Sequence, residues 1–467
     1  MPYARGAGKF ERANRLGHVS VAKNLVIRTA VERWGEPPAA QLDRPGVEER
    51  LASVESLNGH DHETTFVVAF DGSLQEVEAR EEYPSIKVGY LQIAGVAVDL
   101  PAFFAARTGP FIDPRRLAKA SQSQIINAAL PSANIPARDG GTVTENWRRE
   151  VFETFSRQGV DDFGTGTISL LDAIYYLHGS PEVRADTITV GVCPYKTEDD
   201  CSAKFIEVPP EGTSCPTCGR VVWPTDVLRT HEEFDEEGSN LTPLTRLMNS
   251  AERLLCVAYL TGFAKTAPSL LSRIAFVTDG PLAFFGTTAK LKSQMISFLS
   301  HLNNMLLQRG MPPPLLVGIE KSGLFVDHAH AVTKAIPAGY LVNLDELYIR
   351  QRVKRKTSKG LYGVDEFYGR RFFFKTTSGN TLVVTVPRIS GQPYGDSPGC
   401  DSLDEYPTLR PILRLLDRIE TRLYPDAVIP IALAHSAAAL PLGTGSDVLQ
   451  ILAKDLITLS AGGRDSS

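Results

Sequence analysis

The stretch Phe66-Val67-Val68-Ala69-Phe70 is apolar and β-prone without a break, and it runs straight into Asp71-Gly72-Ser73. Such a run, closed by Asp-Gly, predicts a strand buried on both faces with a turn at its end. The pattern recurs at Ile274-Ala275-Phe276-Val277-Thr278-Asp279-Gly280. Two buried strands ending this way set two carboxylates side by side at one sheet edge, a setting for a hard divalent cation. Asp-Gly is also a common turn pair, because Asp bonds its own backbone and Gly takes positive φ. Either copy alone therefore suits an ordinary turn, and only the two together point to a site.

A chain of 467 residues is expected to form two or three domains. Its 43% hydrophobic and 22% charged content is that of a globular protein. A net charge of −5 excludes a general polyanion binder, so any nucleic-acid surface must be local. No apolar run is long enough to span a membrane, and the N-terminus lacks the apolar core of a secretory signal. Six cysteines are too few for a disulfide scaffold, and the expected location is the cytoplasm.

Taken in order, residues 1–59 form a basic N-terminal segment with helical patterns over 21–34 and 47–57. Residues 60–100 begin the main domain with the Asp71 strand and a strand-like stretch over 86–100, which Gly89 and Gly95 could divide in two. The texture then changes. Residues 101–244 read as an insertion, with helical patterns over 115–129, 144–155 and 168–177 and a small separate unit at 187–234. The main domain resumes over 245–467. Leu247, Ala251, Leu254, Leu255, Ala258 and Tyr259 share one helical face. The Asp279 strand, a helix over 290–308 and the apolar run 315–319 follow, which predicts a parallel pair with a right-handed crossover. A strand over 382–386, a Gly/Pro/Asp loop over 391–404, a helix over 408–424 and a last helix entered at 429–435 complete the chain.

Phosphodiester hydrolysis with metal ions needs several clustered carboxylates. Asp71 and Asp279 supply two. Glu252, in Asn249-Ser250-Ala251-Glu252-Arg253-Leu254-Leu255, is a candidate third, though a Glu on an amphipathic helix commonly faces solvent. The order of these pieces resembles the NurA nuclease family: a strand ending Asp-Gly-Ser, a Glu-bearing helix, a strand ending Asp-Gly-Pro-Leu, a strand ending in Lys-Ser, and a late Ala-His-Ser-Ala segment. The resemblance covers roughly residues 60–100 and 245–455. It implies an RNase H-like fold and a manganese-dependent 5′→3′ nuclease acting on DNA, and oxygen ligands suit Mg²⁺ as well as Mn²⁺. It also implies a homodimer working with a HerA-like hexameric ATPase, in DNA repair or phage defence. By this resemblance Asp71, Glu252 and Asp279 fall on the metal-binding carboxylates, His435 on the late active-site histidine, and Lys321 on a basic position after the second parallel strand. Read on its own, a histidine on an Ala-rich helix is a common core residue, and a lysine at a strand end is commonly solvated.

Cys193, Cys201, Cys215 and Cys218 suit a structural zinc ion. The Cys215-Pro216-Thr217-Cys218-Gly219 knuckle allows a tight turn around a tetrahedral ion. A redox pair, free thiols, or His231 replacing one ligand are the alternatives. The run Arg350, Arg352, Lys354, Arg355, Lys356 and Lys359, followed by Tyr362, Phe367, Tyr368, Arg370 and Arg371, has the composition of a DNA-tracking surface or of a plain solvated face. The expected architecture is thus α/β, an RNase H-like mixed sheet flanked by helices and interrupted by a helical and zinc-binding insertion. The rival reading is a catalytically inactive DNA-binding or scaffold subunit on the same fold.

Overall fold

The computed structural model describes residues 4–5, 9–10, 17–34, 46–59, 61–80, 82–108, 111–112, 114–161, 166–196, 200–354, 362–389, 402–421, 428–440 and 449–454. In chain order, its main strands are β1 (Leu51–Ser53), β2 (Phe66–Glu78), β3 (Lys87–Asp99), β4 (Ser121–Ala133), β5 (Ile188–Val192), β6 (Lys204–Val208), β7 (Ile274–Asp279), β8 (Leu315–Glu320), β9 (Tyr340–Asn343), β10 (Arg370–Lys375) and β11 (Thr381–Val386). All but β5 and β6 join one nine-stranded sheet in the order β1-β9-β10-β11-β8-β7-β2-β3-β4. Strands β2, β7 and β8 are parallel neighbours, while β3 is antiparallel to β2 and β4 antiparallel to β3. The run β4-β3-β2-β7-β8 is therefore an RNase H-like sheet, with a second antiparallel block added beyond β8.

Strand alternation explains the layers. β2 sends Val68 and Phe70 to one face, under helices α1 (Val143–Arg157), α2 (Leu170–His178), α3 (Leu241–Thr266) and α4 (Leu291–Gln308). Val67 and Ala69 go to the other, under α6 (Leu409–Ile419) and α7 (Ile429–Ala438). A shorter helix, α5 (Leu324–Val332), covers the added block through Val342, Phe373 and Val383. Burial on both faces is what the unbroken apolar runs in β2, β7 and β8 require. No described helix is long and apolar enough to cross a membrane.

Four expectations are corrected. The helix expected over 115–129 is a short helix, Pro114–Lys119, followed by β4. Ile126, Ala128 and Leu130 are buried in alternation, a period of two, and they fill the free edge of β3. The sheet thus claims residues beyond the expected boundary at 101. Second, residues 86–100 are not divided: β3 is one strand of 13 residues. A Cβ on Gly89 would lie 2.7 Å from Leu244, and one on Gly95 3.1 Å from Tyr259, so these glycines let α3 press closely on the sheet. Third, β2 does not turn at Asp71-Gly72 but continues to Glu78, paired with β3 throughout. Only the second copy turns, at Gly280 with φ 77°. Fourth, 47–57 forms two 3₁₀ turns around β1 instead of a helix.

One polar knot fixes where α3 begins. Glu76 on β2 accepts from Ser132 on β4, from Ser239 and from the Asn240 backbone. The fully buried Asn240 amide donates to the carbonyls of Ser132 and Asp235. Replacing Asn240 with Ala leaves these buried acceptors unpaired, so we expect a loss of about 2 kcal/mol in urea unfolding. A loss within experimental error would show that the knot does not hold α3.

Candidate active site

The register of β2 and β7 pairs Phe70 with Thr278, so Asp71 and Asp279 are neighbours one step further along. Both follow the positions that face α6 and α7 (Val67 and Ala69; Ala275 and Val277), and so they project to that side. His435 on α7 meets Asp71 there, its Nδ1 2.8 Å from Asp71 Oδ2. The other oxygen, Oδ1, accepts from the Gly72 backbone at 2.8 Å. Lys321, just past β8, donates to Asp279 Oδ2 at 2.8 Å. Ser73 completes the local sequence logic: its hydroxyl accepts from Leu440 N at 3.0 Å and donates to the Ala438 carbonyl, which fixes the end of the helix that carries His435.

Glu252 comes from the opposite face. Gly72 opens its way: a Cβ there would lie 2.6 Å from Glu252 Oε1 and 2.8 Å from Met248. Glu252 is buried, as is Arg253, and the two form an ion pair. Arg253 also donates to the carbonyls of Asp279 at 3.3 Å and Pro281 at 3.1 Å, tying α3 to the turn after β7. Asp71, Glu252, Asp279, Lys321 and His435 line one cleft of about 770 Å³ together with Glu320. Sequence reasoning missed Glu320 and Arg253. The signal for Glu320 was a carboxylate closing an otherwise apolar strand, immediately before Lys321.

Burial raises the Asp71 pKa from 3.8 to about 6, and neighbouring Asp279 adds to the rise against the pull of Lys321 and His435. Burial likewise raises Glu252 to about 8 against the pull of Arg253, with Asp71 and Asp279 adding to the rise. Carboxylates that bury their charge beside one another want a cation. The donor set is all hard oxygen, which fits Mn²⁺ or Mg²⁺. The oxygens are not drawn tightly together here. Among the described residues, the only set of three or more His, Cys, Asp or Glu whose ligand atoms all lie within 4.8 Å of one another is a cysteine set.

That set is Cys193, Cys201, Cys215 and Cys218. Cys193 and Cys218 sulfurs are 3.8 Å apart, and those of Cys201 and Cys215 3.6 Å. Burial opposes ionisation of Cys215, but the backbone N–H groups of Cys218 and Thr217 outweigh it and bring the thiol down to about 7. Four converging sulfurs with one eased toward thiolate fit a tetrahedral zinc site. His231 is not among them; it lies buried beside Asp226.

The basic segment is dispersed. Arg350 pairs with Glu346 at 2.7 Å, Arg370 donates to the Leu344 carbonyl at 3.3 Å, and Arg352 lies against Gly46. Lys354 is exposed, its ammonium 5.0 Å from the Tyr362 ring centre. Arg355, Lys356 and Lys359 lie outside the described residues. Arg371 is turned inward, a correction to its expected place on the surface. It is buried, paired with Glu320, and held 4.1 Å from the ring centres of both Phe325 and Phe367. Phe367 and Tyr368 are buried too and offer no stacking surface.

The Asp71 shift has a measurable sign. Its folded pKa lies above its unfolded value, so the stability it contributes is present below about 4 and lost as pH rises through about 6. Without divalent cations, Asp71→Asn should match the parent in urea at pH 4 and exceed it at pH 8, by about 1 kcal/mol. A variant weaker at pH 8 would mean that Asp71 is not held under charge strain.

No family model matches this chain, and no curated protein matches it. Among solved structures it is similar to the NurA nuclease from Sulfolobus solfataricus, with 11% identity, 96% of this chain and 98% of that one covered, and a TM-score of 0.36. It is also similar to a structure described as NurA, with 10% identity, 97% and 99% covered, and a TM-score of 0.29. At identities and scores this low, the fold is established by the strand order of the sheet itself.

Proposed function

We propose that this chain is a deoxyribonuclease that hydrolyses phosphodiester bonds with Mn²⁺ or Mg²⁺. The observation that carries the reading is the meeting of Asp71, Glu252 and Asp279 on one cleft, from three elements far apart in sequence, with His435 bonded to the first Asp and Lys321 to the second. Asp71, Asp279 and Glu252 are the residues that would hold the cation. When bound, it supplies charge neutralisation at the scissile phosphate and a more acidic attacking water.

The chain's own groups do the rest. Ionised Asp71 accepts the Nδ1–H of His435 and so orients the ring, leaving Nε2 as the atom that takes or returns a proton. The imidazole is 65% exposed, so a substrate reaches it. Lys321, released in part from Asp279, meets a phosphate oxygen. Exposed Lys354 adds a cation to the surface for DNA, and residue Phe367 further along bridges to Ala283 in the loop after Asp279. The sequence resemblance adds a homodimer and a HerA-like ATPase partner, in DNA end processing or phage defence. The four cysteines hold a structural Zn²⁺, since four protein ligands leave no open position for chemistry.

The test is degradation of linear DNA with and without Mn²⁺. Asp279→Asn should abolish it, and His435→Ala should lower it about 100-fold while DNA binding persists. DNA binding by a parent protein that cleaves nothing, under any divalent cation, would instead identify a scaffold subunit.

Zinc is tested separately. Protein prepared without chelators should carry about one zinc per chain by elemental analysis, and the double change Cys215→Ser and Cys218→Ser should remove it and lower the melting temperature, because metal binding and folding of such a unit are one process. Metal-free protein of full stability would refute the assignment.

A further inference from the structure

The zinc-bearing unit carries one residue that folding does not explain. In the β5–β6 hairpin, Ile206 and Val208 point inward, while Phe205 points out and is 75% exposed. Its backbone is left-handed, φ 54°. That conformation suits glycine and is a true outlier for a bulky side chain. The register passes over it: Val190 pairs with Ile206 and Val192 with Lys204, leaving Gly191 opposite Phe205. A strained residue whose ring contributes so little to the core is kept for another purpose.

Its surroundings suggest which. Lys204 beside it is exposed. Across the hairpin, Nζ of exposed Lys290 lies 3.8 Å from where a Gly191 Cβ would stand. Lys290 ends the turn Gly286–Lys290, which follows the Asp279 strand and on which the zinc-bearing unit packs through Thr230–Glu233. An exposed ring on this hairpin, next in sequence to one exposed lysine and opposite a glycine approached by a second lysine from the turn after the Asp279 strand, matches single-stranded nucleic acid: the ring stacks on a base and the cations meet phosphates. A duplex hides its base faces, so it cannot use the ring in this way. We infer that Phe205, with Lys204 and Lys290, is a stacking contact for a single DNA strand outside the catalytic cleft. This inference rests on the nuclease reading above.

The experiment measures anisotropy of a fluorescein-labelled 20-nucleotide oligothymidylate with the full-length protein, without added divalent cation, for the parent, Phe205→Gly and Phe205→Trp. Phe205→Gly should weaken binding at least about five-fold. It should leave the melting temperature unchanged or raised, since glycine relieves the backbone strain. Phe205→Trp should restore affinity, with tryptophan fluorescence quenched by the oligonucleotide. Equal affinity of parent and Phe205→Gly, with the parent binding DNA, would overturn this contact and leave the nuclease reading intact. A fall in both affinity and melting temperature would overturn it too, by making Phe205 structural. The same measurement on a labelled 20-base-pair duplex separates the two readings: a parent that binds the duplex but not the oligothymidylate would overturn this contact alone, and one that binds neither would overturn the nuclease reading itself.

Discussion

The hydrogen-bonded pairing of β2 with β7 is the constraint from which the rest of the site follows. It sets two acidic residues, more than two hundred positions apart in the chain, next to each other on one face of a sheet that is packed with apolar side chains on both sides. Ionised together they repel, and burial adds to the penalty. The surrounding groups answer this charge. Lys321 lies on Asp279, His435 on Asp71, and Arg253 binds the backbone that carries Asp279. The cleft thus holds its negative charge under strain that these neighbours only partly relieve.

Two buried ion pairs, Glu252–Arg253 and Glu320–Arg371, flank the aspartates. Buried pairs contribute little net stability, because desolvation offsets attraction, yet losing one partner leaves an uncompensated charge. Their consequence here is positional. Arg253 joins helix α3 to the turn after β7, and Arg371 joins β10 to the end of β8 beneath two phenyl rings. The added antiparallel block is thereby coupled to the cleft through the strand that ends in Glu320 and Lys321. Glycine acts in the same sense. Gly72, Gly89 and Gly95 remove the side chains that would hold α3 away from the sheet, and Gly72 leaves the space that Glu252 occupies.

The loop leaving β7 is the meeting point of three parts of the chain. Residues 362–368 bond to it on one side, with Phe284 N donating to Glu366 O and Tyr368 N to Leu282 O. The turns Pro224–Leu228 and Thr230–Glu233, beside the cysteine cluster, pack on its far end. The cysteine cluster therefore does more than close a separate knuckle. By fixing a unit against this loop, it helps to set the course of the chain that leaves β7.

The sequence by itself determined the elements whose signal is local. The unbroken apolar runs of β2, β7 and β8 specified buried parallel strands, and the cysteine spacing specified a converging thiol set, because both depend on residues close together in the chain. Asp71, Asp279, Glu252, Lys321 and His435 were each legible as candidates. What tertiary structure decided is how they meet and which neighbours they have. Strand β4 was hidden because its alternation is short and polar, and only the free edge of β3 selects strand over helix. Asp71-Gly72 looked like a turn, but cross-strand pairing with β3 carries β2 straight through it, and Gly72 serves instead as a gap for Glu252. Arg371 looked like half of a surface pair, but strand alternation turns it inward onto Glu320. In each case the deciding partner lies far away in sequence, and a local pattern carries no information about which distant charge or backbone will arrive beside it.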